Sequence, residues 1–502
     1  MEDRPLPDFA WRPILWIVGI LLILHFSVIN QYGIFRDELY YLACSDRLAW
    51  GYVDHPPLCV FVAKLFTSLF GENLISVRAP TILASAGTAI LYAQIARRLG
   101  GGKSAQILAC LAVAGAGVYR VVAHLYSMNG LDVLLWAAAV FLWIRIVQDS
   151  NRKLYLWLGC VLGIALLTKL SALWLILGLL GATCFTNRRR DFKSWEIYAC
   201  AAIAALIFTP HLIWQIQNDW ITLVFLRNAT TKKMIPLSAW KFLGVQIVVT
   251  NPAFSILWML GIFHAWRRPE WRGYALGFSL VLVTLLVGER SRENYLSPAY
   301  VYVSPIGAII LANWLEKSRV RMTSYIAFAG AWIAFSFSLA LPLLPPALFI
   351  KWVEMMPLQP PPAERGLKSP MQGFADMFGW REMANAAQSV WESLPPQEQT
   401  TTPILGMNYG EAAALEQFCT GPKIIGLHNN FWLWGPGDWD GQTLVLVGAA
   451  PSTMKDDFES FEIVRHLDNP YAVPEEAHAP IIVAHDLKIS VAEFWKKYRR
   501  IE

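Results

Sequence analysis

The sequence predicts a polytopic α-helical membrane protein, a bundle of about eleven spans, followed by a small extracytoplasmic α/β domain. Three observations predict it. The 502-residue chain is 55% hydrophobic and 16% charged, against about 25% charge in ordinary soluble domains. Apolar runs of about twenty residues recur through the first 345 positions, the length that crosses a bilayer as a helix. Beyond the proline-rich stretch Leu358-Gln359-Pro360-Pro361-Pro362 the pattern changes to short β-like runs alternating with helical ones, as in a small α/β domain.

Taken in order, the apolar runs place spans near 13–31, 75–97, 104–123, 130–148, 154–168, 171–187, 196–214, 239–265, 273–289, 297–315 and 322–345. The fifth and sixth are short, as broken or re-entrant segments are. No small-residue cleavage signal follows the first run, so it reads as a retained helix. Arg97, Arg98 and Lys103 share one side with Arg145, Arg152 and Lys153, with Arg188, Arg189, Arg190 and Lys193, with Arg267, Arg268 and Arg272, and with Lys317, Arg319 and Arg321. By the inside-positive rule that side is cytoplasmic. Segment 32–74 and everything after about residue 346 then face outward.

Within the outer segment 32–74, apolar residues with charges between them run from Asp37 to Trp50, and Val60, Phe61, Leu65, Phe66 and Leu69 give Leu58 to Phe70 an amphipathic pattern, which predicts two helices lying in the interface plane. Pro56-Pro57 separates them. The domain division is 1–357 for the membrane part and 358–502 for the outer part. In the latter, strands are expected at 403–408, 423–427, 443–448 and 480–484, and helices at 411–418 and 490–498. About 140 residues suffice for a core of its own, so the outer domain is expected to be separable. The net charge of +5 sits mostly in the inner loops and fits membrane lipids as partners, not nucleic acid. None of the seven cysteines forms a C-x-x-C pair. Cys44 and Cys59 share the outer segment, and free apolar-packed thiols are the simpler expectation there.

The ionisable residues collect near the outer rim. Charged groups beside a bilayer are costly and tend to mark function. Asp37 and Glu38 follow the first span; such carboxylates either act as a base or favour a helix N-terminus. Asp54-His55-Pro56-Pro57 offers a carboxylate and an imidazole able to donate to phosphate or ligate a metal, or else an ordinary loop with a proline stop. Asp132 stands at the outer entry of the fourth span and Lys169 at the outer turn between the fifth and sixth. Each is a cap, a snorkelling side chain, or, for Lys169, a phosphate ligand. Arg290 and Arg292, in the loop 289–295, break the inside-positive pattern. A guanidinium pair suits a phosphate clamp; internal pairing with the neighbouring glutamates is the alternative. Arg120 and His124 are weaker candidates.

In their order, Arg36-Asp37-Glu38-Leu39-Tyr40-Tyr41, His55-Pro56-Pro57-Leu58, Val77-Arg78, Asn129-Gly130-Leu131-Asp132, Leu167-Thr168-Lys169, Pro210-His211-Leu212-Ile213-Trp214-Gln215, Met407-Asn408-Tyr409-Gly410-Glu411 and His428-Asn429-Asn430-Phe431-Trp432 resemble the GT-C membrane glycosyltransferases. The resemblance is to the bacterial group similar to protein O-mannosyltransferases and to the aminoarabinose–lipid A transferase. It implies a GT-C-like bundle in the bacterial inner membrane. The implied reaction is an inverting transfer of a sugar from a polyprenyl-phosphate-linked donor to a glycolipid, glycan or protein acceptor at the outer face. It implies Asp37 as the catalytic carboxylate, with Glu38 beside it. His55, Lys169, Arg290 and Arg292 would hold the donor phosphate, supported by Asp54 and Asp132. Relatives often carry an acidic residue and a lysine before the two prolines. Here Asp54-His55 stands there, which shifts the phosphate role toward Lys169 and the arginines. No cofactor is required by this chemistry, while Asp37, Glu38, Asp54 and His55 form a set that a divalent metal could use. The rival reading is a lipid-linked sugar transporter or flippase, which predicts broken helices near the midplane and paired inverted halves. A third is a non-catalytic assembly partner.

Overall fold

In the computed structural model, residues 5–185, 187–288, 290–355 and 372–502 are described. The 357/358 domain boundary, the prolines 360–362 and Glu289 lie outside them. Helix α1 is Trp11–Ser27, α2 Arg36–Ser45, α3 Leu58–Phe70 and α4 Leu74–Arg98. Helices α5 (Lys103–Ala114), α6 (Gly117–His124), α7 (Met128–Asp149), α8 (Leu154–Thr168), α9 (Ala172–Cys184) and α10 (Trp195–Gln217) follow. Every run expected to span is largely helical. Among the described residues, five helices are long and apolar enough to cross a membrane alone, or up to eight segments if each bent pair counts as one.

The bends have local causes. Between α5 and α6 the axis turns by 56° at Gly115, where a side chain would collide with the Phe254 ring. Between Ala239–Val249 and Pro252–Arg267 it turns by 120°. There Asn251 has a φ of 68° and caps the next helix by accepting from the Ala253 amide, and Pro252 supplies no amide to continue the first. Helices Pro252–Arg267 and Ser304–Leu315 approach backbone to backbone. A β-carbon on Gly261 would meet Val303 and one on Gly307 would meet Leu257, the small-residue packing of membrane helices.

Helix α3 has the predicted bounds and an amphipathic face: Cys59, Val60 and Ala63 are buried while Leu65, Leu69 and Phe70 are exposed. Helix α2 departs from expectation. It stops at Ser45 instead of running to Trp50, because Asp46 caps it and 46–57 folds as a loop. It is also buried from Glu38 to Ser45, so it does not lie on an interface; it is packed between the bundle and the C-terminal part.

The C-terminal part holds one five-stranded sheet of order β2-β1-β3-β5-β4, with β1 Ile404–Gly406, β2 Ile424–Gly426, β3 Thr443–Val447, β4 Phe458–His466 and β5 Pro480–Leu487. Strand β1 runs parallel to β2 and β3, and β5 pairs antiparallel with β3 and β4. Its core is shared with the bundle. Leu39, Tyr40, Tyr41 and Leu42 of α2 and Cys59 and Val60 of α3 share one buried cluster with Ile404, Tyr409, Ala412, Leu415, Val445 and Ile481. Cys44 and Cys59 are free buried thiols.

Candidate active site

The local sequence places Asp37 and Glu38 side by side at the start of α2, about 100° apart around its axis. Glu38 sits at the third helical position and accepts from the Phe35 amide at 2.9 Å, closing the helix start. It is 0% exposed. Arg78, on α4, donates to both its oxygens at 2.8 Å, and the Tyr126 amide donates to Oε1 at 2.9 Å. The remaining Arg78 donors reach the Ile29 and Gly33 carbonyls at 2.6 and 2.7 Å. Expected as a second catalytic carboxylate, Glu38 is instead a strut joining α1, α2, α4 and residue 126. With its oxygens bound and closed off, it has none to present to a substrate.

Asp37 is different. Its side chain is 39% exposed. Oδ1 accepts from the Tyr409 hydroxyl at 2.8 Å and lies 4.0 Å from Arg36 Nε. Arg36 is held in turn 3.5 Å from Asp376. Beside this group, Tyr40 donates to Asp54 Oδ1 at 3.0 Å. Burial pushes the Asp54 carboxyl above its usual range, and the Asp37 charge adds to it against His55 and the Tyr40 hydrogen bond.

His55, expected at the donor phosphate, is enclosed. It is 1% exposed, with its ring 4.8 Å from that of Tyr41 and 5.1 Å from that of Tyr52. Nδ1 faces the Pro56 carbonyl at 3.0 Å and Nε2 stands 3.8 Å from Asp54. It backs the Asp54 side chain from inside the loop.

Lys169, Arg292 and Lys233 form a chain of cations, each within electrostatic reach of the next. Lys169, at the end of α8, donates to Asn129 Oδ1 at 2.7 Å, stands 4.0 Å from Asp132 and lies 5.1 Å over the Tyr295 ring. Asp132 is fully buried and accepts from Ser171 at 2.8 Å. Arg292 is within electrostatic reach of both Lys169 and Lys233. Lys233 also feels Arg36, Arg500 and Asp37; burial first, then Arg36 and Arg292, hold its ammonium down to about 7. Arg290 is engaged elsewhere. It donates to the Thr230 carbonyl at 2.7 Å and ties its loop to the 229–233 segment. Arg120 donates to Ser336 and His124 packs beside His25, inside the bundle.

Among the described residues no three His, Cys, Asp or Glu side chains come together as a metal-binding group. The set Asp37, Glu38, Asp54 and His55 does not converge, because Glu38 is turned into Arg78 and His55 is enclosed.

Tyr409 and Lys233 are the residues sequence reasoning missed. Lys232-Lys233 breaks the inside-positive pattern just as Arg290 and Arg292 do, and that signal could have found it. For Tyr409, Asn408-x-x-Glu411 marks a helix start but not what faces it 372 positions away. His428 is a satisfied loop histidine. Its Nδ1 accepts from the Tyr409 amide at 3.4 Å and its Nε2 donates to the Glu502 carbonyl at 3.0 Å. Burial and then Arg500 keep it neutral.

Residues 54–214 match the family described as dolichyl-phosphate-mannose-protein mannosyltransferase. A lipid A galacturonosyltransferase of Rhizobium johnstonii is 24% identical over 327 residues, covering 59% of this chain and 65% of that protein. An undecaprenyl phosphate-alpha-4-amino-4-deoxy-L-arabinose arabinosyl transferase of Edwardsiella ictaluri is 24% identical over 296 residues, covering 53% of this chain and 50% of that protein. The matched region thus spans just under two thirds of the first relative's length and half of the second's. Among solved structures, ArnT from Cupriavidus metallidurans aligns in its apo state with a TM-score of 0.64 at 13% identity, covering 94% of this chain and 97% of that one. The same protein bound to undecaprenyl phosphate gives 0.60 at 15% identity with the same coverage. The GT-C fold and the family resemblance read from the sequence are borne out.

Proposed function

We propose, from the GT-C fold, that this protein is a membrane glycosyltransferase. It transfers a sugar from a polyprenyl-phosphate donor to an acceptor hydroxyl at the outer face of the bacterial inner membrane, with the C-terminal part on that face. Asp37 takes the acceptor proton, the acceptor oxygen bonds to the anomeric carbon from the opposite side, and the bond to phosphate breaks with inversion. Polyprenyl phosphate leaves with the electron pair. Lys169, Lys233 and Arg292 meet its charge, as fixed cations at a leaving group do. The observation that carries this reading is the exposed Asp37 carboxylate within electrostatic reach of Lys233, which Arg292 links to Lys169. The carboxylates around it are already engaged: Glu38 with Arg78, Asp54 with Tyr40 and Asp132 with Ser171. The bent helix pairs alone would suit a transporter, but the ionisable groups collect around Asp37, which favours chemistry there. The relatives' names, both transferases and one acting on lipid A, support a glycolipid acceptor.

The test has two arms. Envelope glycolipids of a deletion strain are compared with wild type by mass spectrometry, and a sugar-sized mass difference is expected. Purified protein is incubated with a membrane lipid extract of the native organism, and released undecaprenyl phosphate is counted. Unchanged glycolipids together with no release would remove the enzyme reading.

A further inference from the structure

Among the described residues, the hydrogen bond and the ion pair made by the Asp37 side chain fall on the same oxygen. Tyr409 Oη donates to Oδ1 at 2.8 Å and Arg36 Nε stands 4.0 Å from Oδ1. The tyrosine comes from the C-terminal part, and that part fixes it firmly. Asn408 caps the helix Tyr409–Phe418 by accepting from the Gly410 and Glu411 amides at 2.9 Å. His428 holds the Tyr409 amide. The phenol ring lies 4.9 Å from that of Tyr40 and 5.0 Å from that of His428, with the Arg36 guanidinium 5.3 Å over its face. A side chain at Gly410 would run into the Arg36 stem, so the helix start approaches this closely because that position is bare. Burial, with Asp37 adding to it, keeps the phenol protonated and a donor.

We propose that Tyr409 is a positioning residue for Asp37: its hydroxyl anchors Oδ1 and thereby aims Oδ2 at the acceptor hydroxyl. The C-terminal part then completes the reaction centre and does not merely cover it. This follows from strand order as well. Tyr409 and His428 stand just beyond the carboxyl ends of the parallel strands β1 and β2, the end at which open α/β sheets present their functional loops. The proposal rests on the reading of Asp37 as the base.

The experiment measures undecaprenyl phosphate release from the native membrane lipid extract by the full chain. Tyr409→Phe keeps the ring and removes the donor. Turnover at saturating extract should fall about tenfold, the scale of one hydrogen bond to a charged group, with the half-saturating extract concentration and binding of added undecaprenyl phosphate unchanged. In an Asp37→Asn background the same change should cost nothing more, since the group it positions is gone. Tyr409→3-fluorotyrosine, which restores a hydroxyl, should return turnover to near the wild-type level. Wild-type turnover in Tyr409→Phe beside an inactive Asp37→Asn would overturn the proposal while leaving the base reading intact. So would losses that multiply in the double variant, or a 3-fluorotyrosine enzyme as slow as Tyr409→Phe. Full activity in Asp37→Asn would instead remove the base reading itself.

Discussion

Glu38→Gln removes one charge of a pair in which both side chains are 0% exposed, and it leaves the Arg78 guanidinium buried without its counter-ion. Breaking such a pair costs about 3–5 kcal/mol. The thermal midpoint in detergent should therefore drop by several degrees. Asp37→Asn, one position earlier and 39% exposed, should leave the midpoint in place while turnover falls roughly 10²-fold, the scale of general-base catalysis. The reverse pattern, with a stable Glu38→Gln and an unstable Asp37→Asn, would show the two roles to be exchanged. Lys233 supplies a pH dependence. Its pKa is lowered to about 7, so it is charged below that pH and neutral above it. A phosphate monoester has its second pKa at about 6 and is about nine-tenths doubly ionised at pH 7, so the ligand gains little charge above 7. Undecaprenyl phosphate affinity should then weaken as pH rises from 7 to 8.5, and in Lys233→Met it should be lower and flat across that range. An unchanged slope in the variant would assign the titration elsewhere.

At the scale of elements, the site depends on a loop that has no secondary structure of its own. Residues 46–57 are tied from three directions. His211 of α10 donates to the Trp50 carbonyl at 2.9 Å, Thr222 reaches the Tyr52 carbonyl at 3.2 Å, and Asn430 accepts from the Val53 amide at 3.0 Å. Asn430→Ala leaves the buried Val53 amide without that partner, a penalty of about 1–3 kcal/mol. Hydrogen exchange at Val53 should quicken by about tenfold or more, with exchange in α7 unchanged; unaltered protection at Val53 would mean another group holds the loop. Much at this scale was legible in the sequence. The apolar runs gave the bundle helices, and α3 has the expected bounds. Turn and β-branched signals located four of the five strands. Strand β4 was missed because Glu459, Glu462 and Arg465 face outward on an exposed edge, where charge guards against edge pairing and hides the strand pattern. The end of α2 was missed because Arg47 and Trp50 continue the helical alternation after Asp46 has already capped it. The enclosure of His55 was not legible, because its motif position says nothing about which way the ring turns, and burial among tyrosines is a tertiary outcome.

The whole molecule is organised around a core that belongs to neither part alone. A proline-rich stretch and a change of pattern made the C-terminal residues look like an appended unit, since composition along a chain cannot reveal that Leu39 and Tyr40 pack against Ile404, Ala412 and Val445. The consequence can be measured. A chain ending at Met355 uncovers Leu39, Tyr40, Tyr41 and Leu42, each now under 5% exposed. Fully burying a large apolar side chain is worth about 1.5–3 kcal/mol, so their joint exposure is comparable with a domain's whole net stability. Arg47 would also lose Glu416, and Asp37 would lose Tyr409. The truncated chain should elute from size exclusion in detergent as aggregate and release no undecaprenyl phosphate. Supplying residues 372–502 as a second chain in the same cells should recover a co-purifying, monodisperse pair with measurable turnover, because the contacts are non-covalent and need no intact linker. A truncated chain that stays monodisperse, keeps the wild-type thermal midpoint and turns over at the wild-type rate would show that the bundle folds and works without the shared core.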